Sequence, residues 1–236
     1  MSQLKLEFVG EWFPIEEGAE FFIGREADLV VDDNPYLHRR FLCIHSEAGL
    51  WWLSNVGNLL SATVTDATGQ VQAWLAPGAR LPIVFERMHI MFSAGSTTYD
   101  LTVHAESDVF TTSQLRVDEV GQTTIMPVML TTTQRMLIVA LAEQVLQQDV
   151  PGRGEIPTSA QAAERLGWSM TTFNRKLDNV CDKLDKIGVA GLRGGKGRLA
   201  TNRRARLVEY AVGTRLVSAD DLPLLDRAPD EASAAD

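Results

Sequence analysis

The chain has 236 residues, of which 45% are apolar and 22% charged, and its formal net charge is −9. This composition is typical of a soluble globular protein, and the length allows one large domain or two small ones. No apolar run approaches the roughly 20 residues that a membrane-spanning helix needs, and the N-terminus lacks the pattern of a signal peptide. The two cysteines, Cys43 and Cys181, lie far apart, so a reduced, cytoplasmic setting is the simplest expectation.

In the first 105 residues, short apolar or alternating runs are separated by turn-forming segments such as 47–49, 76–78 and 94–96. Ten strands are predicted, at 3–9, 20–23, 28–31, 41–46, 50–54, 62–65, 70–75, 80–85, 88–93 and 97–103. Many short strands at regular spacing predict an all-β sandwich over residues 1–105.

The stretch 21–41 places basic residues on loops between two of these strands. Arg25 follows an apolar run and Gly24, while Arg39 and Arg40 follow a dense turn signal. The loops of neighbouring strands are expected to bring Arg25 close to the Arg39/Arg40 pair. Converging guanidinium groups suit a phosphate, because each planar fork can make paired, charge-assisted hydrogen bonds.

These residues resemble the signature of the forkhead-associated (FHA) domain, a reader of phosphothreonine peptides. Gly24-Arg25 matches the family's Gly-Arg, and residues 37–41 (LHRRF) stand at the spacing of its Ser-Arg-x-His. The block 53–61 resembles the later Asp-Leu-Gly-Ser-x-Asn-Gly segment. The resemblance implies an FHA-like module that binds a phosphorylated or acidic protein segment, for example within a Ser/Thr kinase pathway.

The same resemblance implies a set of ligand contacts. Arg25, Arg39 and His38 would hold the anion, and Asn55 and Asn58 would hydrogen-bond the backbone of the bound peptide. His38 stands where the family has a serine. A cationic imidazole there would either replace the hydroxyl donor or block the pocket.

Residues 106–130 lose the strand pattern and form a polar, threonine-rich linker. Thr123 and Thr124 are candidate kinase targets that an FHA domain would read in cis or in trans. An ordinary polar linker is the alternative interpretation.

From residue 131 the apolar spacing becomes helical, which predicts an all-α domain over 131–217. A first helix, capped by residues 131–134, has its interior at 135–148. Three more helices are predicted at 160–166, from a cap at Ser169 or Thr171 to about 186, and at 202–214. The segment 149–157 is predicted to be a loop, and the acidic tail 218–236 to be disordered.

Charge separates this region from the rest. Residues 151–217 contain thirteen Lys and Arg against six Asp and Glu, whereas the chain as a whole is acidic. This asymmetry is expected when one part of a protein binds nucleic acid. A solvated basic face is the alternative.

Residues 159–177 resemble the helix–turn–helix of bacterial transcription regulators. Gly167 provides the turn, and Phe173 and Leu177 are four residues apart and face the core. The outward residues would contact DNA, and the basic loop after the third helix would contact phosphates as a wing. The predicted DNA contacts are Thr171, Thr172, Asn174, Arg175, Lys176, Asn179, Arg193, Lys196 and Arg198.

A helical hairpin used for packing or partner binding is the alternative for this segment. Asp178, Asp182 and Asp185 lie on the same predicted helix and count against DNA binding.

Two functions follow from these patterns. The first is a signalling-linked transcription regulator, with an FHA-like module for a protein partner and a helix–turn–helix for DNA. The second is a non-enzymatic protein–protein adaptor whose FHA-like domain is degenerate and independent of phosphate. An enzyme is the least favoured interpretation, because the sequence contains no catalytic motif and suggests no cofactor or metal site.

Overall fold

The computed structural model describes residues 4–106, 128–147, 152–193 and 203–226. The strands are β1 (Leu4–Phe8), β2 (Glu11–Ile15), β3 (Phe21–Gly24), β4 (Leu29–Val30), β5 (Leu42–Glu47), β6 (Leu50–Asn55), β7 (Ala62–Asp66), β8 (Gln72–Leu75), β9 (Arg80–Ile83), β10 (Arg87–Ala94), β11 (Thr97–Ala105) and β12 (Arg153–Glu155). The helices are α1 (Thr132–Leu146), α2 (Ser159–Arg165), α3 (Met170–Lys186), α4 (Arg203–Gly213) and a 3-10 helix (Ala219–Asp226).

Two sheets pack face to face. The larger has the order β2-β1-β11-β10-β7-β8, with β12 also paired to β11, and the smaller has the order β4-β3-β5-β6-β9. The core between them is apolar and includes the fully buried rings of Phe41, Phe92 and Tyr99. The predicted β-sandwich is confirmed, and each of the ten predicted strands has a counterpart.

Two strands were missed by the sequence patterns. β2 contains Pro14, which lacks a backbone donor, and it pairs only with β1 at the edge of the sheet. The prediction of a loop at 149–157 is wrong for β12, whose three residues pair with Thr97, Thr98 and Tyr99. This three-residue strand begins and ends with a charged residue and has no hydrophobic alternation, so only its pairing with β11 reveals it.

The helices begin at side-chain caps. Thr131 and Thr158 each form a capping box with the glutamine three residues later, and Ser169 accepts a hydrogen bond from the Thr172 N–H. Gly167 has a φ of +66° and ends α2. The four predicted helices are therefore present, with boundaries shifted by a few residues.

The helical region lies against the outer face of the larger sheet. Every residue of β7 is buried, because α4 covers the face that an open sandwich leaves to solvent. On α4 the buried Arg206 and Glu209 are 3.4 Å apart, and Arg206 donates a hydrogen bond to Thr63. Burial raises the pKa of Glu209. An arginine–glutamate pair is thus buried between the helices and the sheet.

The acidic tail is ordered for part of its length. The prediction of disorder from residue 218 is wrong for the 3-10 helix, where Leu225 is buried. Arg135 pairs with Asp221 at 3.2 Å, which ties this helix to α1. The segments 107–127 and 227–236, including Thr123 and Thr124, lie outside the described residues. In the described parts of the chain, each helix is too short or too polar to cross a membrane.

Candidate anion-binding site

Gly24 brings two loops into close contact at the end of β3. A Cβ atom there would lie 2.8 Å from the carbonyl oxygen of His38 and closer still to that of Arg39. The N–H of Arg25 donates to the His38 carbonyl and the N–H of Glu26 donates to the Arg39 carbonyl, each at 2.9 Å. These two bonds hold Arg25 beside the loop that carries Arg39.

The two arginines approach one carboxylate oxygen. Glu26 Oε1 lies 3.3 Å from Arg39 Nε and 3.9 Å from Arg25 Nη2. Arg39 is 74% exposed and Arg25 is 25% exposed. The structure therefore places both guanidinium groups on the same side of the joined loops.

The charge of Arg25 is weakly compensated. Its Nε is buried and has no hydrogen-bond partner among the described residues, and its distance to Glu26 exceeds that of a hydrogen bond. A cation that is largely removed from water is costly unless a partner satisfies it. The Nε is covered, so a ligand would meet the exposed part of the Arg25 guanidinium, which faces only the distant carboxylate of Glu26.

The His38 side chain packs against Phe41 and Gly57. Its ring stacks on Phe41 with the centroids 6.1 Å apart, and a Cβ atom at Gly57 would lie 2.9 Å from its Cδ2. Burial lowers the pKa of His38 and leaves its Nε2 covered, without a hydrogen-bond partner among the described residues. In this conformation the imidazole packs beneath the loops. This disfavours the interpretation of His38 as a cationic donor to phosphate.

Asn55 holds its own loop together. It is 2% exposed, and its Nδ2 donates to the carbonyls of Leu60 and Leu75 at 2.9 and 3.0 Å. Its Oδ1 accepts from the N–H of Gly57. The prediction that Asn55 contacts a peptide is therefore wrong, because its side chain faces the interior. Asn58 is exposed on the same loop.

A polar network that the sequence analysis missed supports the loop carrying His38 and Arg39. The Tyr99 hydroxyl donates to Asp32 at 2.6 Å, and Asn34 Nδ2 donates to the Ala94 carbonyl and the Tyr99 hydroxyl. Burial and the bond to Asp32 raise the pKa of Tyr99 to about 12. Arg153 on β12 reaches Asp32 at 3.3 Å. The turn signal was visible in the sequence, but its partners on β11 and β12 were not.

Part of the predicted DNA-contacting set lies outward on α3. Thr171, Asn174, Arg175 and Asn179 are exposed. The N–H of Thr172 is used in capping the helix.

One predicted DNA contact on α3, Lys176, is differently placed. Lys176 donates to Thr133 on α1 at 2.6 Å and lies 5.5 Å from the Trp168 ring, so its prediction as an outward residue is wrong. Lys196 and Arg198 lie outside the described residues.

The acids of α3 have basic partners. Asp178 pairs with Arg203 at 2.6 Å, and Arg193 pairs with Asp182 at 2.7 Å and with Asp185 at 3.3 Å. Arg193 is therefore ion-paired to α3, and its side chain remains 53% exposed. By helical spacing, Asp178 and Asp182 share the flank of Arg175.

No protein-family model matches this sequence, and no curated protein matches it. Solved FHA domains are similar to the N-terminal part of the chain. The FHA-1 domain of Mycobacterium tuberculosis Rv1747 is 15% identical over 44% of this chain and 96% of its own, with a TM-score of 0.34. The FHA domain of an Arabidopsis thaliana hypothetical protein is 16% identical over 48% of this chain and 92% of its own, also with a TM-score of 0.34. The FhaA FHA domain, solved with the intracellular domain of Rv3910, is 19% identical over 44% of this chain and all of its own, with a TM-score of 0.30.

Proposed function

We propose that the β-sandwich is a non-enzymatic binding module for a phosphorylated segment of a partner protein. The observation that carries the proposal is the weakly compensated guanidinium of Arg25, which lies beside that of Arg39 on two joined loops. A phosphate monoester carries a charge of about −1.5 to −2 at pH 7 and three acceptor oxygens. Two adjacent guanidinium groups supply the matching donors.

The surroundings of the arginines suit an extended segment. Tyr36 is exposed on the loop that carries Arg39, and Val56 and Leu59 are exposed on the β6–β7 loop. Asn58 lies between these two residues in the sequence and is also exposed. Exposed apolar side chains beside a polar anchor are typical of a protein-binding surface.

The test is the affinity of phosphothreonine peptides from a random library, measured against the same peptides with unmodified threonine. We expect Arg25→Ala and Arg39→Ala each to weaken phosphopeptide binding at least tenfold, since each removes a charge-assisted contact. Arg80→Ala is the matched control, because Arg80 is an exposed, ion-paired arginine on β9.

Equal affinity for the modified and unmodified peptides would overturn the phosphate-dependent function. In that case the adaptor interpretation, in which the module binds protein without phosphate, would replace it.

A second candidate function is DNA binding by the α2–α3 unit, favoured by the exposed polar residues Asn174, Arg175 and Asn179 on one face of α3. The acids Asp178 and Asp182 oppose it. We expect Arg175→Ala to weaken duplex binding at least threefold and the affinity to fall steeply with salt. Binding that is insensitive to salt and to this substitution would remove DNA from the proposal.

A further inference from the structure

Glu26 occupies the position between the two arginines that a ligand would need. Its Oε1 is the shared neighbour of Arg25 Nη2 and Arg39 Nε. Its main-chain N–H is bonded to the Arg39 carbonyl, so the backbone of Glu26 is fixed within the joined loops. The side chain itself is 58% exposed and is free to turn into solvent.

The other acid of this loop has a different partner. Asp28 accepts a hydrogen bond from the N–H of Phe22 at 2.7 Å. Of these two acids, Glu26 is therefore the one whose carboxylate faces the guanidinium groups. A ligand that uses both arginines must displace it.

We infer that Glu26 is an internal competitor for the anion site and lowers the affinity of every anionic ligand that uses both arginines, an inference that rests on the proposed function above. A ligand carboxylate has the same charge as Glu26 and exchanges one equivalent ion pair for another. A phosphate monoester carries more charge and a third acceptor oxygen, so it gains more than the displaced carboxylate loses. Because both ligands must displace Glu26, it weakens both by a similar factor, and the carboxylate, which gains less from the arginines, is left with the lower net affinity.

The experiment compares Glu26→Gln with the parent protein against three versions of one peptide, carrying phosphothreonine, glutamate or threonine. The glutamine side chain keeps the size of Glu26 and removes its charge. We expect the affinity for the phosphothreonine and glutamate peptides to rise about two- to fivefold, the range for an exposed ion pair. The threonine peptide should bind equally to both proteins.

Two controls isolate the mechanism. Glu47→Gln removes an exposed carboxylate that pairs with Arg80 at 2.6 Å, and it should leave all three affinities unchanged. In an Arg39→Ala background, Glu26→Gln should give a clearly smaller rise, because the carboxylate acts partly through Arg39.

The outcomes separate this inference from the proposed function. If the parent binds the phosphopeptide and Glu26→Gln binds it equally, the competitor role is overturned and the function stands. If only Glu26→Gln binds it, the competitor role is supported. If neither protein prefers the phosphopeptide to the threonine peptide, both the inference and the proposed function are overturned.

Discussion

At the scale of single residues, Gly24 sets the distance between the loops that carry Arg25 and Arg39. The two main-chain hydrogen bonds between the loops form only at this short distance. The positions of the Arg25 and Arg39 side chains therefore follow from the contact at Gly24. The Gly-Arg pair was visible in the sequence. The sequence could not show that Glu26, directly after it, faces both arginines, because the loop geometry decides that.

We predict that Gly24→Ala destabilises the protein by about 1–3 kcal/mol, because its Cβ meets main-chain atoms that cannot turn aside. Urea unfolding measures the change. Gly213→Ala is the control, since a Cβ there would lie 3.4 Å from the Thr65 methyl group, an ordinary contact. A Gly24 variant as stable as the Gly213 variant would contradict the close approach.

Asn55 and Asn58 give a second comparison within one loop. Asn55→Ala is predicted to cost about 1–3 kcal/mol, because it leaves buried carbonyl groups without their donor. Asn58→Ala should change the free energy of unfolding by less than about 0.5 kcal/mol, since Asn58 is exposed. Similar losses for both variants in urea unfolding would contradict the structural role of Asn55.

At the scale of elements, the outward face of β11 carries a buried acid. Asp100 has a side chain only 18% exposed, and its Oδ1 has no hydrogen-bond partner among the described residues. Burial, and then the neighbouring Glu7, raise the pKa of Asp100 from 3.8 to about 7. Between these values the folded state retains a proton that the unfolded chain has lost, so stability falls as pH rises through this window.

Asp100→Asn cannot ionise and should escape this loss. Relative to the parent, its free energy of unfolding is predicted to improve by about 1–4 kcal/mol between pH 4 and pH 8. Asp33→Asn, which removes an exposed acid from a loop, controls for net charge. Burial lowers the pKa of His89, which acts in the opposite direction, and His89 Nδ1 lies 3.9 Å from Asp100 Oδ1, so the measured difference includes the coupling between the two groups. A difference that is independent of pH would contradict the assignment.

The periodicity of the sequence located ten strands and four helices because most of these elements bury one apolar face. β2 and β12 were not predicted, because Pro14 interrupts the strand pattern of β2 and β12 is only three residues long. The polar residues of β7, such as Thr63 and Thr65, resemble a solvent-facing row. They are buried because α4 covers them, which strand periodicity alone cannot reveal.

At the scale of the whole molecule, the helices and the sandwich share structure. β12 extends the larger sheet, and Arg206 and Glu209 are buried against Thr63. Removing the helices would leave these groups and the covered face of the sheet exposed. Stability of the sandwich is therefore expected to depend on the helical region.

We predict that both parts unfold in one transition. A Trp168→Phe variant leaves the four remaining tryptophans in the sandwich, so that fluorescence reports on the sandwich and far-ultraviolet circular dichroism mainly on the helices. The two urea midpoints should coincide. Loss of the helical signal at a clearly lower urea concentration would contradict the shared unit.

The proposed function requires that Arg25 and Arg39 bind a phosphate group, and the ³¹P resonance of a phosphothreonine peptide reports on that contact. On titration with the parent protein the resonance is predicted to shift and saturate. With Arg25→Ala the shift should be lost or need much more protein, while Arg80→Ala should behave as the parent does. An identical titration with Arg25→Ala, or an unchanged resonance with the parent protein, would contradict the account.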